Sequence, residues 1–298
     1  MIVTYYFPYM KSQYNHNSRK GKIQPRFTED GEFDKISRRK REAKEELIMN
    51  QKRDPIGVLD SGVGGISTLR EMVRELPDER FIYYGDMANA PYGTKSTEEV
   101  IGCVRKVVDK LTEQHIKALV IACNTATGAA AAVLREELSI PVVGMEPALK
   151  PAARMRKNGS VLVLATPLTL HQEKFENLMK QYGEGAVKVP CPGLMELVEA
   201  DDREGALQYL KEMFSRYPAE KVDAVVLGCT HYVFLKDMIR ELLPERIAIT
   251  DGNAGTARQL RRVLDRENLL NDEGPGSVEL QTSGGEREIK LMEKLLNE

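Results

Sequence analysis

The sequence has no Trp, only four Cys, and no unbroken apolar run long enough to span a bilayer. The lack of Trp excludes little. Four cysteines in 298 residues, none in a C-x-x-C pair, exclude a disulfide framework and point to a reducing compartment. A membrane-spanning helix needs about 20 apolar residues. Residues 118–134 come nearest, but Asn124, Thr125, Thr127 and Gly128 interrupt them. The first ten residues lack the basic n-region and the apolar core of a secretory signal. Together these absences predict a cytoplasmic protein. Positive charge is scarce in the body of the chain: residues 55–298 hold 30 Lys/Arg against 37 Asp/Glu, whereas residues 1–54 hold 13 against 8. An acidic body excludes general electrostatic binding of nucleic acid.

What is present is ordinary for a globular protein, with 42% hydrophobic and 30% charged residues and enough length for two medium domains. Residues 1–54 stand apart, being polar, basic and without strand-like runs. They read as a disordered or loosely helical extension, with a charged helix over 35–49, and Met49 offers a second start position. From Ile56 onward apolar runs alternate with helical periodicity, the pattern of a parallel sheet in an α/β protein. The periodicity predicts helices over 66–76, 100–111, 129–138, 168–182, 206–214, 234–243, 255–265 and 286–296, with a last strand over 278–282.

Four strand-like runs recur at one offset. Asp60 at the end of the first falls on Thr166, 82–86 falls on 188–192, Cys123 falls on Cys229, and 141–145 falls on 247–251, each 106 residues on. The predicted fold is therefore two pseudo-symmetric, doubly wound parallel-sheet α/β domains with the active site in the cleft between them. Residues 55–146 with 252–298 make the first domain and 147–251 the second, joined by a double hinge near Glu146-Pro147 and Asp251.

Ligands of open α/β sheets bind beyond the carboxyl ends of the strands. Asp60, Ser61, Asp86, Cys123, Asn124, Thr125, Thr166, Cys191, Cys229, Thr230 and His231 all fall at such ends. Asn124 or Thr125 is the expected cap of the helix after Cys123, and Thr230 or His231 opens the next. A thiol at a helix N-terminus has a lowered pKa, which makes Cys123 and Cys229 candidate thiolates. A cysteine is often only a small buried apolar residue, but two at repeat-equivalent strand ends weigh against that reading. Zinc would need further ligands that only folding could recruit, from His231 and Asp60. A phosphatase loop would place Arg six residues after the Cys, and position 129 is Ala. A redox disulfide and two-base proton transfer remain, and only the second uses the symmetry. The loop Asp60-Ser-Gly-Val-Gly-Gly-Ile-Ser67 breaks the dinucleotide fingerprint at Ser67 and suits a carboxylate at a helix start. His231 is fit to tune a thiol or act as an acid, and Asp60 to activate a thiol or hold an ammonium. Tyr92 and Gly93 lie in a Pro/Gly turn beyond the Asp86 strand end, placed to close over a pocket.

These residues resemble the cofactor-independent aspartate/glutamate racemase family. The matching strings are Gly57-Val-Leu-Asp60-Ser61-Gly-Val-Gly-Gly65, Tyr84-Gly-Asp86 with Pro91-Tyr92-Gly93, Cys123-Asn124-Thr125, Glu146-Pro147 and Gly228-Cys229-Thr230-His231, in order across residues 56–298. The resemblance implies interconversion of L- and D-glutamate without pyridoxal phosphate or metal, supply of D-glutamate for peptidoglycan, and a homodimer. It implies Cys123 and Cys229 as the acid/base pair, assisted by Asp60 and His231. Substrate contacts fall on Asp60, Ser61, Tyr92, Gly93, Asn124, Thr125, Thr230 and His231, with Asp86 and Glu199 as further matches, while the chain departs from many members over Ala165-Thr-Pro-Leu-Thr169, where Thr166 and Thr169 would meet the distal carboxylate. His at position 231 favours glutamate over aspartate. Racemisation of aspartate or another amino acid, and a non-catalytic two-lobed ligand-binding or gyrase-interacting protein, are the alternatives.

Overall fold

The computed structural model describes residues 3–6, 51–272 and 274–298. Short Val/Ile/Leu runs, buried on both faces, form parallel strands, because such runs bury fully only when helices cover both sides of a sheet. The first sheet collects β1 (Val3–Tyr6), β2 (Ile56–Asp60), β3 (Arg80–Gly85), β4 (Ala118–Ile121), β5 (Val142–Gly144) and the late strand β10 (Ser277–Thr282). Their order is β1-β10-β3-β2-β4-β5, with β1 antiparallel to β10 and every other pairing parallel. The second sheet holds β6 (Ser160–Ala165), β7 (Ala186–Pro190), β8 (Val222–Leu227) and β9 (Ala248–Asp251) in the order β7-β6-β8-β9, all parallel. The orders β3-β2-β4-β5 and β7-β6-β8-β9 are the same topology, so the interval of 106 residues reflects a structural repeat.

Helices cover both faces of each sheet. In the first unit α1 (Ile66–Glu75) packs with α10 (Asn253–Arg266) and α11 (Glu286–Asn297) around Leu69, Met72, Leu260 and Met292, while α2 (Thr97–Thr112) and α3 (Asn124–Glu137) cover the other face around Val104, Val108, Ile121 and Leu134. Ser96 and Glu99 form a capping box that fixes the start of α2. The second sheet is covered on one side by α4 (Leu149–Met155), α5 (Pro167–His171) and α6 (Glu173–Tyr182). Its other side carries α7 (Leu194–Glu199), α8 (Arg203–Phe214) and α9 (Lys236–Leu242). The chain crosses between sheets twice, side by side: a Cβ on Gly252 would stand 2.6 Å from the Glu146 carbonyl oxygen.

Three readings of the sequence are corrected. Residues 1–54 were expected to lack strands, yet Val3–Tyr6 adds an edge strand whose Val3 and Tyr5 pack on the first core. Four residues of alternating β-formers are too few to stand out in a polar stretch. The expected helix over 35–49 lies outside the described residues. The single helix expected over 168–182 is broken at Gln172, which is extended (φ −68°, ψ 142°) and separates α5 from α6. Helices α4 and α7 were not foreseen, being only 7 and 6 residues long. Among the described residues no helix is long and apolar enough to cross a membrane.

Candidate active site

Both sheets reverse their winding between two central strands, β2/β4 in one and β6/β8 in the other. Crevices open at such switch points beyond the strand ends. The residues leaving those four strands are Asp60-Ser61, Ala122-Cys123, Thr166 and Gly228-Cys229, and the two crevices face each other. Between them lies a cavity of about 10 Å³, room for no more than about one water.

Glycine lets the two units come this close. A Cβ on Gly64 would stand 2.5 Å from Thr230 Oγ1, and one on Gly93 would stand 2.8 Å from Thr166 Cβ. The Gly-rich loop after β2 thus seats the Thr230-His231 turn directly against its backbone.

Cys123 and Cys229 both line the cavity and both are buried. Cys123 is itself the N-cap of α3: its Sγ accepts the Ala126 N–H at 3.4 Å, so neither Asn124 nor Thr125 performs the capping expected of it. Ser61 Oγ lies 3.7 Å from the same sulfur. For Cys123 the expected lowering of the thiol pKa is overturned. Burial, reinforced by the nearby Asp60 carboxylate, pushes the Cys123 thiol up to about 12, and the single N–H bond and Ser61 only partly oppose this. Cys229 precedes a 3₁₀ turn, Thr230–Leu235, and Nδ1 of His231 lies 3.7 Å from its sulfur.

His231 also faces Glu199, with Nε2 3.0 Å from Oε1. Burial works against the charged imidazole, but hydrogen bonds to Cys229 and Glu199 outweigh it and hold the ring well above its ordinary pKa. Asp60 is wholly buried beneath the cavity. It accepts the Gly62 N–H at 2.8 Å and the Thr230 hydroxyl at 3.1 Å, and burial raises its pKa despite the opposing influence of His231.

Among the expected site residues, Ser61, Gly93, Asn124, Thr125, Thr166, Thr230 and His231 line the cavity with the two cysteines. The others stand one layer behind it. Thr169 bonds Thr125 at 2.9 Å and Thr166 at 2.9 Å, and Thr125 and Thr166 lie 3.0 Å apart, so three hydroxyls bridge the two units. Tyr92 turns its hydroxyl away, donating to Asp86 at 2.7 Å, and leaves Gly93 at the cavity wall. Asp86 also receives Ser283 Oγ at 2.8 Å, which ties the Tyr92 turn to the end of β10. Asn124 sends Nδ2 to Met145 Sδ at 3.2 Å, while its Oδ1 is the buried side-chain polar atom left without a partner among the described residues. Met195 and Gly228 line the cavity without having been singled out. Met195 is an apolar residue on a two-turn helix and carries no chemical signal in the sequence. Among the described residues no group of three or more His, Cys, Asp or Glu side chains is arranged to hold a metal ion.

The model of the Asp/Glu/Hydantoin racemase family matches residues 56–260. The glutamate racemase of Clostridium acetobutylicum is 51% identical over 228 residues, covering 75% of this chain and 89% of that protein. That of Clostridium botulinum strain Loch Maree is 47% identical over 255 residues, covering 84% and 99%. Among solved structures, the glutamate racemase isoform RacE1 of Bacillus anthracis superposes with a TM-score of 0.75 at 34% identity, covering 83% of this chain and 95% of that one. The Escherichia coli glutamate racemase, solved with L-glutamate and the activator UDP-MurNAc-ala, gives a TM-score of 0.73 at 31% identity and covers 82% and 94%. This match in sequence and in fold, over the region that carries both cysteines, means that the chain belongs to the Asp/Glu/Hydantoin racemase family.

Proposed function

We propose that this protein interconverts L- and D-glutamate by two-base proton transfer between Cys123 and Cys229, without a cofactor, and thereby supplies D-glutamate for peptidoglycan in the cytoplasm. The observation that carries the reading is the meeting of two thiols, one from each switch point, in a single enclosed cavity. Similarity to proteins named glutamate racemase supports the choice of substrate.

The residues divide the work as follows. One cysteine, as thiolate, takes the Cα proton; the electron pair moves onto the α-carboxylate, and the opposite thiol gives its proton to the other face. One thiolate is consumed and one is formed, so the reverse reaction begins from the product state. A carbon acid this weak needs a strong base, and burial makes Cys123 basic. The substrate ammonium, held beside the unpaired Asn124 Oδ1, offsets the Asp60 charge and lets the thiol ionise. The N-terminus of α3 and the glycine loop after Asp60 offer N–H groups to the carboxylates. His231, whose pKa is raised by its hydrogen bonds to Cys229 and Glu199, is placed to steady a thiolate at Cys229.

A cavity of about 10 Å³ cannot admit an amino acid, so the two domains, 55–146 with 252–298 and 147–251, part at the paired crossings near Glu146-Pro147 and Asp251 to load and release it. The working form is a homodimer. Incubation of the purified protein with L-glutamate in D2O tests the reading: the α-proton exchanges and optical rotation decays to zero. Retention of both the proton and the rotation would refute it.

A further inference from the structure

Gln172 makes a contact that its sequence setting does not suggest. It sits where the α5–α6 helix breaks, 7% exposed, and sends its carboxamide out of the second unit into the first turn of α3. There Nε2 donates to the Thr125 carbonyl at 2.9 Å. The carboxamide oxygen rests over Gly128, one turn further along, so closely that a Cβ on Gly128 would overlap it at 1.7 Å. The residue does not line the cavity. Thr125 is therefore gripped twice from the second unit, by Thr166 and Thr169 at its hydroxyl and by Gln172 at its carbonyl. The same helical turn supplies the Ala126 N–H that fixes Cys123 Sγ.

We infer that Gln172 is a positioning residue for proton transfer: when the units close, its carboxamide keys into the space left by Gly128, sets the first turn of α3, and so places the Cys123 thiol. A helix through Gln172 would carry its side chain along the α5–α6 surface; the extended break is what lets it reach across. The hydroxyls of Thr166 and Thr169 hold a side chain that can rotate, whereas Gln172 holds the backbone itself. Displacing a reacting group by about 1 Å costs on the order of a hundredfold in rate, so a modest loosening is visible in kinetics.

The inference rests on the racemase reading, and its test includes a measurement that needs no turnover. In the full-length protein, Gln172→Ala lowers kcat about tenfold with KM within about twofold, since the substrate contacts remain while the thiol is less well placed. Gly128→Ala alone lowers kcat further, because its methyl drives the carboxamide out. The double variant returns to the level of Gln172→Ala, a non-additivity expected of two groups that occupy one space. Without substrate, iodoacetamide at mildly alkaline pH labels Cys123 faster relative to Cys229 in Gln172→Ala than in the wild type. Wild-type kcat in Gln172→Ala, a double variant no faster than Gly128→Ala, or an unchanged ratio of Cys123 to Cys229 labelling would each overturn the assignment. A wild-type protein that racemises nothing refutes the racemase reading, and the labelling ratio still decides the role of Gln172.

Discussion

Nδ1 of His231 lies 3.7 Å from Sγ of Cys229, and the whole imidazole is buried. Cys123 has a hydroxyl at the same distance, Ser61 Oγ at 3.7 Å. Two thiols that are equivalent in the repeat are thus unequal in surroundings: one stands beside an imidazole whose pKa is held above its ordinary value, the other beside the buried carboxylate of Asp60. Under the proposed two-base scheme, each mirror image would be approached by a differently tuned base.

In the proposed two-base scheme that inequality is silent in overall racemisation, which would need both thiols, and visible in half-reactions. Cys123→Ser and Cys229→Ser should each reduce racemisation of glutamate by at least about a thousandfold, a size expected for loss of an acid/base group with its positioned proton. Each variant should still catalyse one-directional elimination on a glutamate analogue with a good leaving group, with opposite enantiomeric preference. Proton NMR of both reactions in D2O checks this, and normal racemisation by either variant is the result that breaks the two-base scheme.

The raised Cys123 pKa also fixes a stability dependence. In the folded protein the thiol titrates near 12, above its unfolded value, so the folded state holds the proton more tightly. The stabilisation this gives is fully present below the unfolded pKa and is lost as pH rises toward 12, at up to about 1.4 kcal/mol per pH unit. Cys123→Ser should remove that part of the alkaline decline. Urea unfolding of both proteins across the alkaline range should show their stabilities converging as pH increases. A difference constant with pH would argue against a buried neutral thiol.

Glu199 was legible only through the family resemblance, because a glutamate on a six-residue helix has no periodic or local signal that it will meet His231. The cysteines themselves were legible from the chain alone, since the interval of 106 residues is preserved strand by strand in both sheets. What the sequence hid was set by packing across units. Gln172 fits the helical periodicity of 168–182 and breaks it for a partner 47 residues away. The Cys123 pKa was read in the wrong direction because helix-end position is local, whereas desolvation depends on the packing of the whole fold around the sulfur. Val3–Tyr6 was missed because its pairing partner, β10, lies more than 270 residues away.

Removing the Glu199 charge tests its hold on His231. A raised histidine pKa gives stability that is present below the unfolded value of about 6.5 and is lost as pH rises through the folded one. Glu199→Gln should bring the folded pKa down, shift the limb of the kcat/KM profile that reports it toward lower pH, and cost stability chiefly in acid. Nitrogen-15 chemical shifts of His231, followed through a pH titration, report the change directly. An unaltered His231 titration would show that Cys229 alone sustains the shift.

The glycine loop makes a steric prediction. With only 2.5 Å between an added Gly64 Cβ and Thr230 Oγ1, Gly64→Ala cannot accept the closed arrangement without pushing the Thr230-His231 turn away. Both flanking strands and their cores are untouched, so the fold should persist while kcat/KM falls by about a hundredfold. Circular dichroism should match the wild type, and small-angle scattering should show a larger radius of gyration in the presence of substrate. Wild-type kinetics in this variant would mean that the two units need not approach so closely.

Lys117 and Glu79 form an ion pair that lies far from the cavity and is almost wholly buried, with side chains 1% and 2% exposed and Nζ 2.5 Å from Oε2. Burial lowers the lysine pKa and raises that of the glutamate, each opposed by its partner. Lys117 also donates to the Lys52 carbonyl at 2.5 Å, and Glu79 accepts the Asn271 N–H at 2.8 Å, which joins the entrance to β2 and the approach to β10 in one cluster. Lys117→Met leaves a carboxylate in an apolar setting and should destabilise the protein by about 3–5 kcal/mol, whereas replacing both residues with apolar side chains of similar volume should recover much of that loss. Urea unfolding of the two variants measures it. Because the cluster does not touch the cavity, kcat of the folded protein should remain within about twofold of wild type for the double variant, as expected of sites that share no partner.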